Sequence, residues 1–219
     1  MRQLSSILLY LALFSLPVLA QAQEHEATIY FLDGTDVSGY ATLKFDKESF
    51  YGTPKDKIVF RVSKDDTADN WDETTVSKIV FHDFEFPRTF EYIPIVTFSQ
   101  TDYYFLELIS TGEVNLYADA MEAWNTKPAK DQEEGTHVLP DSKFLKVKRK
   151  TEKNLTSLGN SKKKIANYFN ECPGIIERLN SNVFNTRTLE DIVEYYNELC
   201  AGELAETDKN PKKAHRDDE

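Results

Sequence analysis

The sequence predicts an α+β protein, with an N-terminal antiparallel β barrel or sandwich of seven to eight short strands followed by a small three-helix unit. Between residues 27 and 149, apolar and polar residues alternate in short runs separated by turn residues, a pattern typical of strands. After residue 151 the apolar residues recur at helical spacing. The predicted segments are an export signal at 1–22, a β domain at 23–150, a helical unit at 151–202 and a disordered charged tail at 203–219.

The first 22 residues have the pattern of a secretory signal peptide. Arg2 gives a positive start, residues 7–20 form a short apolar run, and Ala20 and Ala22 form an A-x-A cleavage site. The run is too short for a membrane-spanning helix. We therefore expect a mature chain that starts at Gln23, has no membrane span, and is exported to the periplasm or secreted.

The charge balance limits the classes of partner. The chain has 26 Lys+Arg against 37 Asp+Glu, a formal net charge of −11 at pH 7. Nucleic acids and anionic lipid surfaces are bound through an excess of Lys and Arg, so the composition predicts no nucleic-acid partner. The 14 Phe and 11 Tyr are enough to build a core and argue against global disorder.

The first predicted strand, residues 28–32, is followed by the hairpin signal Asp33-Gly34. A return strand begins at Thr35, and this register places Tyr30 opposite Val37. One face of the return strand consists of Val37, Gly39, Ala41, Leu43 and Phe45, and a third strand has Ile58, Phe60 and Val62 on one face.

The next stretch predicts a β-bulge. Ile79 and Phe81 share one face of a regular strand, whereas Phe84 and Phe86 fall on the other face. One extra residue near His82-Asp83 brings all four to the same side of the strand.

The remaining β pattern predicts a turn at Pro87-Arg88 and a strand containing Pro94. Because Pro94 cannot donate to a ladder, we expect it at a sheet edge or a bend. The later elements are a hairpin joining residues 104–109 to 114–117 through a turn at 110–112, a long loop at 119–135, and a last strand at 144–149.

The helical unit is predicted from three signals. Leu158, Ile165, Tyr168 and Phe169 fit one helix. Pro173 suits the first turn of a second helix. In the third helix Thr188 is placed as the N-cap residue, ahead of an apolar stripe at Leu189, Ile192, Val193, Tyr196 and Leu199.

Three parts of the chain carry a resemblance. They are the Asp-Gly-Thr hairpin at 33–35 with Gly39, the stretch from Phe105-Leu106-Glu107 through Gly112 to residues 114–117, and Cys172-Pro173 with residues 190–200. Together they are similar to uncharacterised exported proteins that are frequent in Bacteroidota. The resemblance implies export and a β-then-helical layout, and it brings no catalytic or binding residues.

The two cysteines, Cys172 and Cys200, both lie in the helical unit. In an exported chain a disulfide persists, and a small helical unit gains most from such a staple. The sequence has no C-x-x-C motif, so a structural disulfide is favoured over a redox site.

Other candidate chemical groups have simpler explanations. His25, His82, His137 and His215 lack the spacing of a metal pair. His82 beside Asp83 has the composition of an oriented base, but a half-exposed polar role is favoured. Calcium is the alternative for the acidic residues Asp65, Asp66, Asp69, Asp72 and Glu73, although a solvated connection explains them better. A local basic region at 146–150 and 162–164 is compatible with an anionic envelope component or with solvated surface.

The sequence contains no G-x-S-x-G, P-loop, G-x-G-x-x-G or H-E-x-x-H motif, so it predicts no catalytic residue, no metal ligand and no cofactor. The favoured hypothesis is a non-enzymatic module that binds an unknown envelope or extracellular component. Its surface contacts are predicted at Tyr40, Tyr51, Tyr103 and Tyr104. The alternatives are a hydrolase whose carboxylates converge only in the fold, and a small-ligand carrier that uses a barrel interior.

Overall fold

The computed structural model describes residues 23–45, 56–96, 101–126, 138–185 and 188–201. Its main element is a nine-stranded sheet with the order β4-β3-β2-β1-β5-β6-β7-β8-β9, in which every neighbouring pair is antiparallel. The predicted signal at 1–22 and the predicted tail at 203–219 lie outside the described residues. The strands are β1 His25–Phe31, β2 Asp36–Lys44, β3 Lys57–Arg61, β4 Asp69–Trp71, β5 Val76–Phe81, β6 Arg88–Val96, β7 Thr101–Ser110, β8 Val114–Asp119 and β9 Leu145–Arg149.

The sheet is open, which corrects the predicted barrel or sandwich. Its edge strands β4 and β9 do not pair with each other. The sheet nevertheless curls. The Tyr92 hydroxyl of β6 donates to the Asp56 carbonyl, next to the start of β3, over 2.8 Å, although three strands lie between β6 and β3. At the β9 edge, Val147 exchanges two backbone hydrogen bonds with Thr156, so a short return of the chain occupies the position that a closing strand needs.

The first hairpin forms where it was predicted but with a different register. Ile29, not Tyr30, pairs with Val37. The connection has three residues, with Gly34 at φ +88°, and the Phe31 amide donates to the Thr35 carbonyl. A three-residue loop that ends on a left-handed glycine is a standard hairpin connection, so the predicted two-residue turn was wrong by one residue.

The predicted β-bulge near residue 82 is wrong. Strand β5 ends at Phe81, which pairs with Arg88, so residues 82–87 connect two strands. Phe84 reaches the core by folding back over the sheet from this connection, and Phe86 remains exposed. Of the predicted turn at Pro87-Arg88, Pro87 ends this connection and Arg88 begins β6.

The later strands match their predictions. The hairpin of β7 and β8 and the last strand β9 form as expected. Pro94 lies in β6 beyond Glu91, the last residue that pairs with β5, so on that side the strand has a local edge. Strand β4 was not predicted, because its three residues lie inside the acidic segment.

Four short α-helices accompany the sheet among the described residues: α1 Ala120–Asn125, α2 Lys162–Tyr168, α3 Pro173–Asn180 and α4 Leu189–Tyr195. A π-helical turn, Tyr196–Cys200, extends α4. Helix α1 begins in the predicted loop at 119–135, where Asp119 caps it by accepting from the Glu122 amide. Ser161 caps α2, which was not predicted. Pro173 occupies the first turn of α3 and Thr188 is the N-cap residue of α4, both as predicted, although the Thr188 side chain makes no capping hydrogen bond.

All four helices pack on one face of the sheet, which we call the inner face. Ile29, Ile58, Ile79, Phe81, Phe90 and Phe105 are among the residues of its first cluster, on β1 to β7. The second cluster joins β8 and β9 to the C-terminal helices and includes Leu116, Val147, Ile165, Phe169, Ile175, Leu179, Ile192 and Tyr196. The helical unit thus shares its core with the sheet. In the part of the chain that the structure describes, no helix is both long and apolar enough to cross a bilayer.

Candidate binding surface on the outer face of the sheet

The opposite face of the sheet, which we call the outer face, differs from the inner face in chemistry. Side chains alternate along a strand, so the register assigns each residue to a face. The outer face carries mostly hydroxyl, amide, charged and tyrosine side chains. Prominent members are Glu26, Thr28, Tyr30, Asp36, Ser38, Tyr40, Lys78, Glu91, Tyr104, Asn115, Tyr117, Lys146 and Lys148.

Three lysines cover tyrosine rings on the outer face. The ammonium group lies within cation–π distance of the ring in each pair, which holds an extended lysine in place. The distances to the ring centroid are 4.7 Å for Lys64 over Tyr40, 4.7 Å for Lys78 over Tyr30 and 5.5 Å for Lys146 over Tyr104. We call these the three lysine–tyrosine pairs. Lys64 is exposed and Lys78 and Lys146 are half-buried, so lysine side chains cover the three aromatic rings.

A polar cluster centred on Glu91 lies on the same face. Glu91 is the direct cross-strand neighbour of Lys78. Burial raises the pKa of its carboxyl, while the charges of Lys78 and Lys148 and a hydrogen bond with Tyr117 act in the opposite direction. Asn115 donates to the Tyr117 hydroxyl over 3.2 Å. Beside it, Leu106 is fully buried on the outer face in a small apolar cluster with Ile93 and Tyr117, against which Leu108 and Leu155 pack.

A hydroxyl network lies at the β1–β2–β5 part of this face. Thr28 Oγ1 is 2.9 Å from both Ser38 Oγ and His82 Nε2. Asp83 does not orient His82, since its carboxylate accepts from His25 Nδ1 over 2.9 Å instead. The oriented base considered for His82 and Asp83 is therefore not assembled in this structure.

The four tyrosines predicted as surface contacts do not form one patch. Tyr40 and Tyr104 lie on the outer face, each under a lysine. Tyr103 points the other way and packs against the inner cluster. Tyr51 lies outside the described residues. Sequence reasoning missed Tyr30 and Glu91, although the alternation along β1 and β6 places both on the outer face.

On the inner face, a buried ion pair separates the two apolar clusters. The Arg88 guanidinium donates to both carboxylate oxygens of Glu107, over 2.7 and 2.9 Å, and to the Ala123 carbonyl of α1. It also lies 5.5 Å from the Trp124 ring and 5.1 Å from the Phe84 ring. With its charge compensated, this pair holds α1 and the β5–β6 connection on the sheet.

The residues of the resemblance around Gly112 and Asn197 meet at the junction of sheet and helices. Asn197 Oδ1 accepts from the Val114 amide over 2.9 Å, and its Nδ2 donates to the Val114 carbonyl over 2.8 Å. A Cβ on Gly112 would lie 2.2 Å from the Asn197 side chain, so only glycine leaves room for this clamp. These residues have a structural role in joining the two parts of the fold.

Arg149 forms a second connection between sheet and helices. Its guanidinium donates to the Tyr196 hydroxyl over 2.5 Å and to the Tyr168 carbonyl over 2.6 Å, and it pairs with Glu171. Burial acts to lower the pKa of this guanidinium, but the contacts with Tyr196 and Glu171 raise the pKa overall. Arg149 therefore stays positively charged.

The predicted disulfide is confirmed. Cys172 and Cys200 are bonded, with a Cα–Cα distance of 5.8 Å. Cys172 is fully buried and precedes α3, and Cys200 ends the π-helical turn. The bond therefore fixes the end of the chain segment that carries Asn197.

The acidic segment around Trp71 is used in turns. Asp66 accepts from the Ser63 amide over 2.9 Å, and Asp72 accepts from the Thr74 amide over 3.1 Å. Within the described ranges, no three His, Cys, Asp or Glu side chains come together as metal ligands.

A shallow depression of about 670 Å³ lies on the helical unit. It is open to solvent and is lined by Asn170, Pro173, Ile176, Glu177, Asn180 and Ser181. These side chains include no converging charges and no cluster of aromatic rings, so the depression is a weaker candidate site than the outer face.

Comparisons of the chain with protein-family models, with curated proteins and with solved structures find no match.

Proposed function

We propose that this protein is an exported, non-enzymatic interaction module that binds an envelope or extracellular component through the outer face of its sheet. The observation that carries the proposal is the set of three lysine–tyrosine pairs, which place ammonium groups over tyrosine rings on the outer face. Tyrosine gives contact area and a polar handle at a small entropic cost, which is why binding surfaces use it.

The disulfide supports the exported location. Disulfides persist in oxidising compartments and are rare in the cytosol. The signal-like pattern of residues 1–22 and the resemblance to exported proteins favour the same compartment.

The packing of the inner face supports binding outside the sheet rather than inside it. The concave side of the curled sheet is filled by side chains such as Phe81, Phe90 and Phe105, which are buried. A carrier needs an interior cavity in that position. The buried carboxylate on this side, Glu107, is engaged by Arg88, which does not favour a role in hydrolysis.

The test compares two charge-matched triple variants in a pull-down of envelope fractions by the exported protein. The first, Lys64→Glu/Lys78→Glu/Lys146→Glu, removes all three lysine–tyrosine pairs. The second, Lys162→Glu/Lys163→Glu/Lys164→Glu, makes the same charge change on exposed positions of α2.

We expect the first variant to lose binding and the second to keep it. Urea unfolding of both variants is the control, which checks that the substitutions leave the two folds equally stable. Full binding by the outer-face variant would contradict the proposal, and equal loss in both variants would show that overall charge, not this face, controls binding.

A further inference from the structure

The loop that joins β1 to β2 places the amide nitrogen of a glycine directly after an exposed aspartate. Asp33 and Gly34 are both exposed, and a Cβ on Gly34 would have no atom within 4 Å. An aspartate that precedes glycine is prone to rearrangement, because no side chain hinders attack of the glycine nitrogen on the aspartate carboxyl. The loop therefore combines a reactive pair of residues with open space around it.

The rearrangement consists of a dehydration followed by a hydration. The Gly34 nitrogen forms a bond to Cγ of protonated Asp33, the bond from Cγ to its hydroxyl oxygen breaks, and that hydroxyl leaves with the amide proton as water. Water then opens the cyclic imide at either carbonyl. Opening at Cγ restores aspartate, whereas opening at the main-chain carbonyl gives isoaspartate, in which the chain runs through Cβ and Cγ and is longer by one methylene.

Three hydrogen bonds of the loop oppose the first step. The Asp33 carboxylate Oδ1 accepts from the Thr35 amide over 2.9 Å and from the Thr35 hydroxyl over 2.6 Å. The Gly34 amide donates to the Phe31 carbonyl over 3.2 Å, so the attacking nitrogen is also engaged. The Thr35 hydroxyl, and after it the Thr35 amide, lower the pKa of the Asp33 carboxyl, which favours the ionised form that does not release water.

A second loop of the chain has the same contacts without the glycine. Between β4 and β5, Asp72 Oδ1 accepts from the Thr74 amide over 3.1 Å and from the Thr74 hydroxyl over 2.6 Å. The residue between them is Glu73, whose side chain hinders attack by its own nitrogen. The two loops thus separate the effect of the threonine from the effect of the glycine.

We propose that Asp33 is a covalent modification site, at which Gly34 converts the aspartate to isoaspartate and Thr35 slows this conversion by binding the carboxylate. The extra methylene enters a loop that the Phe31 amide closes by donating to the Thr35 carbonyl over 2.8 Å. This loop sets the register of β1 and β2, so the modification disturbs the alignment of the two strands and of the outer-face side chains that they carry.

The experiment measures isoaspartate at residue 33 after incubation at pH 6, by mass spectrometry with fragmentation that distinguishes the two linkages. The proteins are the wild type, Thr35→Val, Thr35→Ser and the matched control Thr74→Val, each incubated folded and in guanidinium chloride. Thr35→Val keeps a branched side chain and removes the hydroxyl, whereas Thr35→Ser keeps the hydroxyl. Asp72 is the internal reference and should stay unmodified.

We expect the folded wild type to form isoaspartate about tenfold or more slowly than the denatured chain, because unfolding breaks all three hydrogen bonds. Folded Thr35→Val should react about threefold to tenfold faster than the folded wild type, the effect of losing one solvent-exposed hydrogen bond. Thr35→Ser and Thr74→Val should keep the wild-type rate at residue 33. In guanidinium chloride all four proteins should react at the same rate.

Several outcomes overturn the inference. Equal rates in the folded and the denatured wild type would show that the loop contacts do not restrain Asp33. A folded Thr35→Val protein with the wild-type rate, or a Thr35→Ser protein that reacts as fast as Thr35→Val, removes the role of the hydroxyl. Modification of Asp72 at the rate of Asp33 removes the role of Gly34. If circular dichroism shows that Thr35→Val does not fold, Thr35→Ser and the comparison of folded with denatured wild type decide.

Discussion

At the scale of single residues, Asn197 links the end of the chain to the middle of the sheet. Its side-chain amide satisfies both the N–H and the C=O of Val114, as a neighbouring strand would do. The contact joins residues 83 positions apart. No local pattern in the sequence announces such a contact, although Gly112 and Asn197 both belong to the stretches that carry the resemblance.

Replacing Asn197 with Ala should lower the free energy of unfolding by about 1–3 kcal/mol, because two buried backbone groups lose their partners. Urea denaturation measures this loss. The control is Asn170→Ala, at an exposed position after α2, which should change stability by less than about 0.5 kcal/mol. A loss no larger than that of the control would show that water replaces the Asn197 amide.

The Arg88–Glu107 pair should behave as a buried ion pair. Glu107 is 2% exposed, so Glu107→Gln leaves the Arg88 charge without its counter-ion in an apolar environment. We expect a loss of roughly 3–5 kcal/mol in unfolding free energy, measured by urea denaturation. Combining it with Arg88→Met should recover part of this loss, and a double variant less stable than Glu107→Gln would contradict the account.

Glu91 predicts a pH dependence of stability. Its folded-state pKa is raised above the unfolded value, so its stabilising contribution is fully present below the unfolded pKa and is lost as the pH rises through the folded pKa. The Glu91→Gln variant should therefore gain stability relative to the wild type between pH 3.5 and pH 7, two values chosen to lie on either side of a carboxyl titration.

Urea denaturation at the two pH values tests this, with exposed Glu85→Gln as the baseline for losing a carboxylate. For each variant, the change in unfolding free energy relative to the wild type is compared between the two pH values. If this change depends on pH no more for Glu91→Gln than for Glu85→Gln, burial of Glu91 has no effect on its titration.

At the same scale, the prediction that Tyr103 and Tyr104 are both surface contacts overlooked the alternation of side chains along a strand. Consecutive residues of a strand point to opposite faces, so this pair has no common surface. Tyr103 is part of the inner packing, and Tyr104 is covered by Lys146. The alternation that predicted the strand also contained this information.

At the scale of elements, local signals predicted where hairpins form better than how their strands are aligned. Asp33 accepts from both the amide and the hydroxyl of Thr35, and the hydroxyl contact is the larger cause of its lowered pKa. These bonds close a three-residue loop, whereas the Asp-Gly pair alone indicates a two-residue turn. The faces of β2 were nevertheless predicted correctly, since Ala41 and Leu43 are buried.

The aromatic spacing around residue 82 allowed two solutions, and the sequence could not decide between them. A bulge and a hairpin connection both bring Phe84 to the side of Phe81. The connection is favoured here because His25 stacks on Phe84 with ring centroids 4.6 Å apart and pairs with Asp83. His25 is 57 residues before His82 in the sequence, so this support is non-local.

The disulfide should account for a large part of the stability of the helical unit. Cys172 and Cys200 are 28 residues apart, and closing a loop of this size is worth about 3–4 kcal/mol in the chain-entropy model. Urea denaturation with and without reductant should show a lower midpoint for the reduced protein. The double variant Cys172→Ala/Cys200→Ala should be insensitive to reductant, and an unchanged midpoint in the reduced wild type would refute the stabilising role.

At the scale of the whole molecule, the α+β class could be predicted from the sequence, but closure of the sheet could not. Closing a barrel requires strand number, tilt and stagger to agree, and none of these is visible in period-two patterns. Here the β9 edge is occupied by the return through Thr156, and the helical unit covers the second half of the inner face. None of the four described helices packs on the outer face, where only Leu108 and Leu155 pack against the small apolar cluster of Ile93, Leu106 and Tyr117 among the described residues.

The central claim is that this outer face binds the partner, and lysine footprinting in the presence of an envelope fraction tests it most directly. Each lysine is acetylated with and without the fraction, and its modification rate is read by mass spectrometry. The account predicts protection of Lys64, Lys78 and Lys146, with unchanged rates at residues 162–164. Protection confined to α2, or equal rates at all six lysines while the fraction is bound, would contradict it.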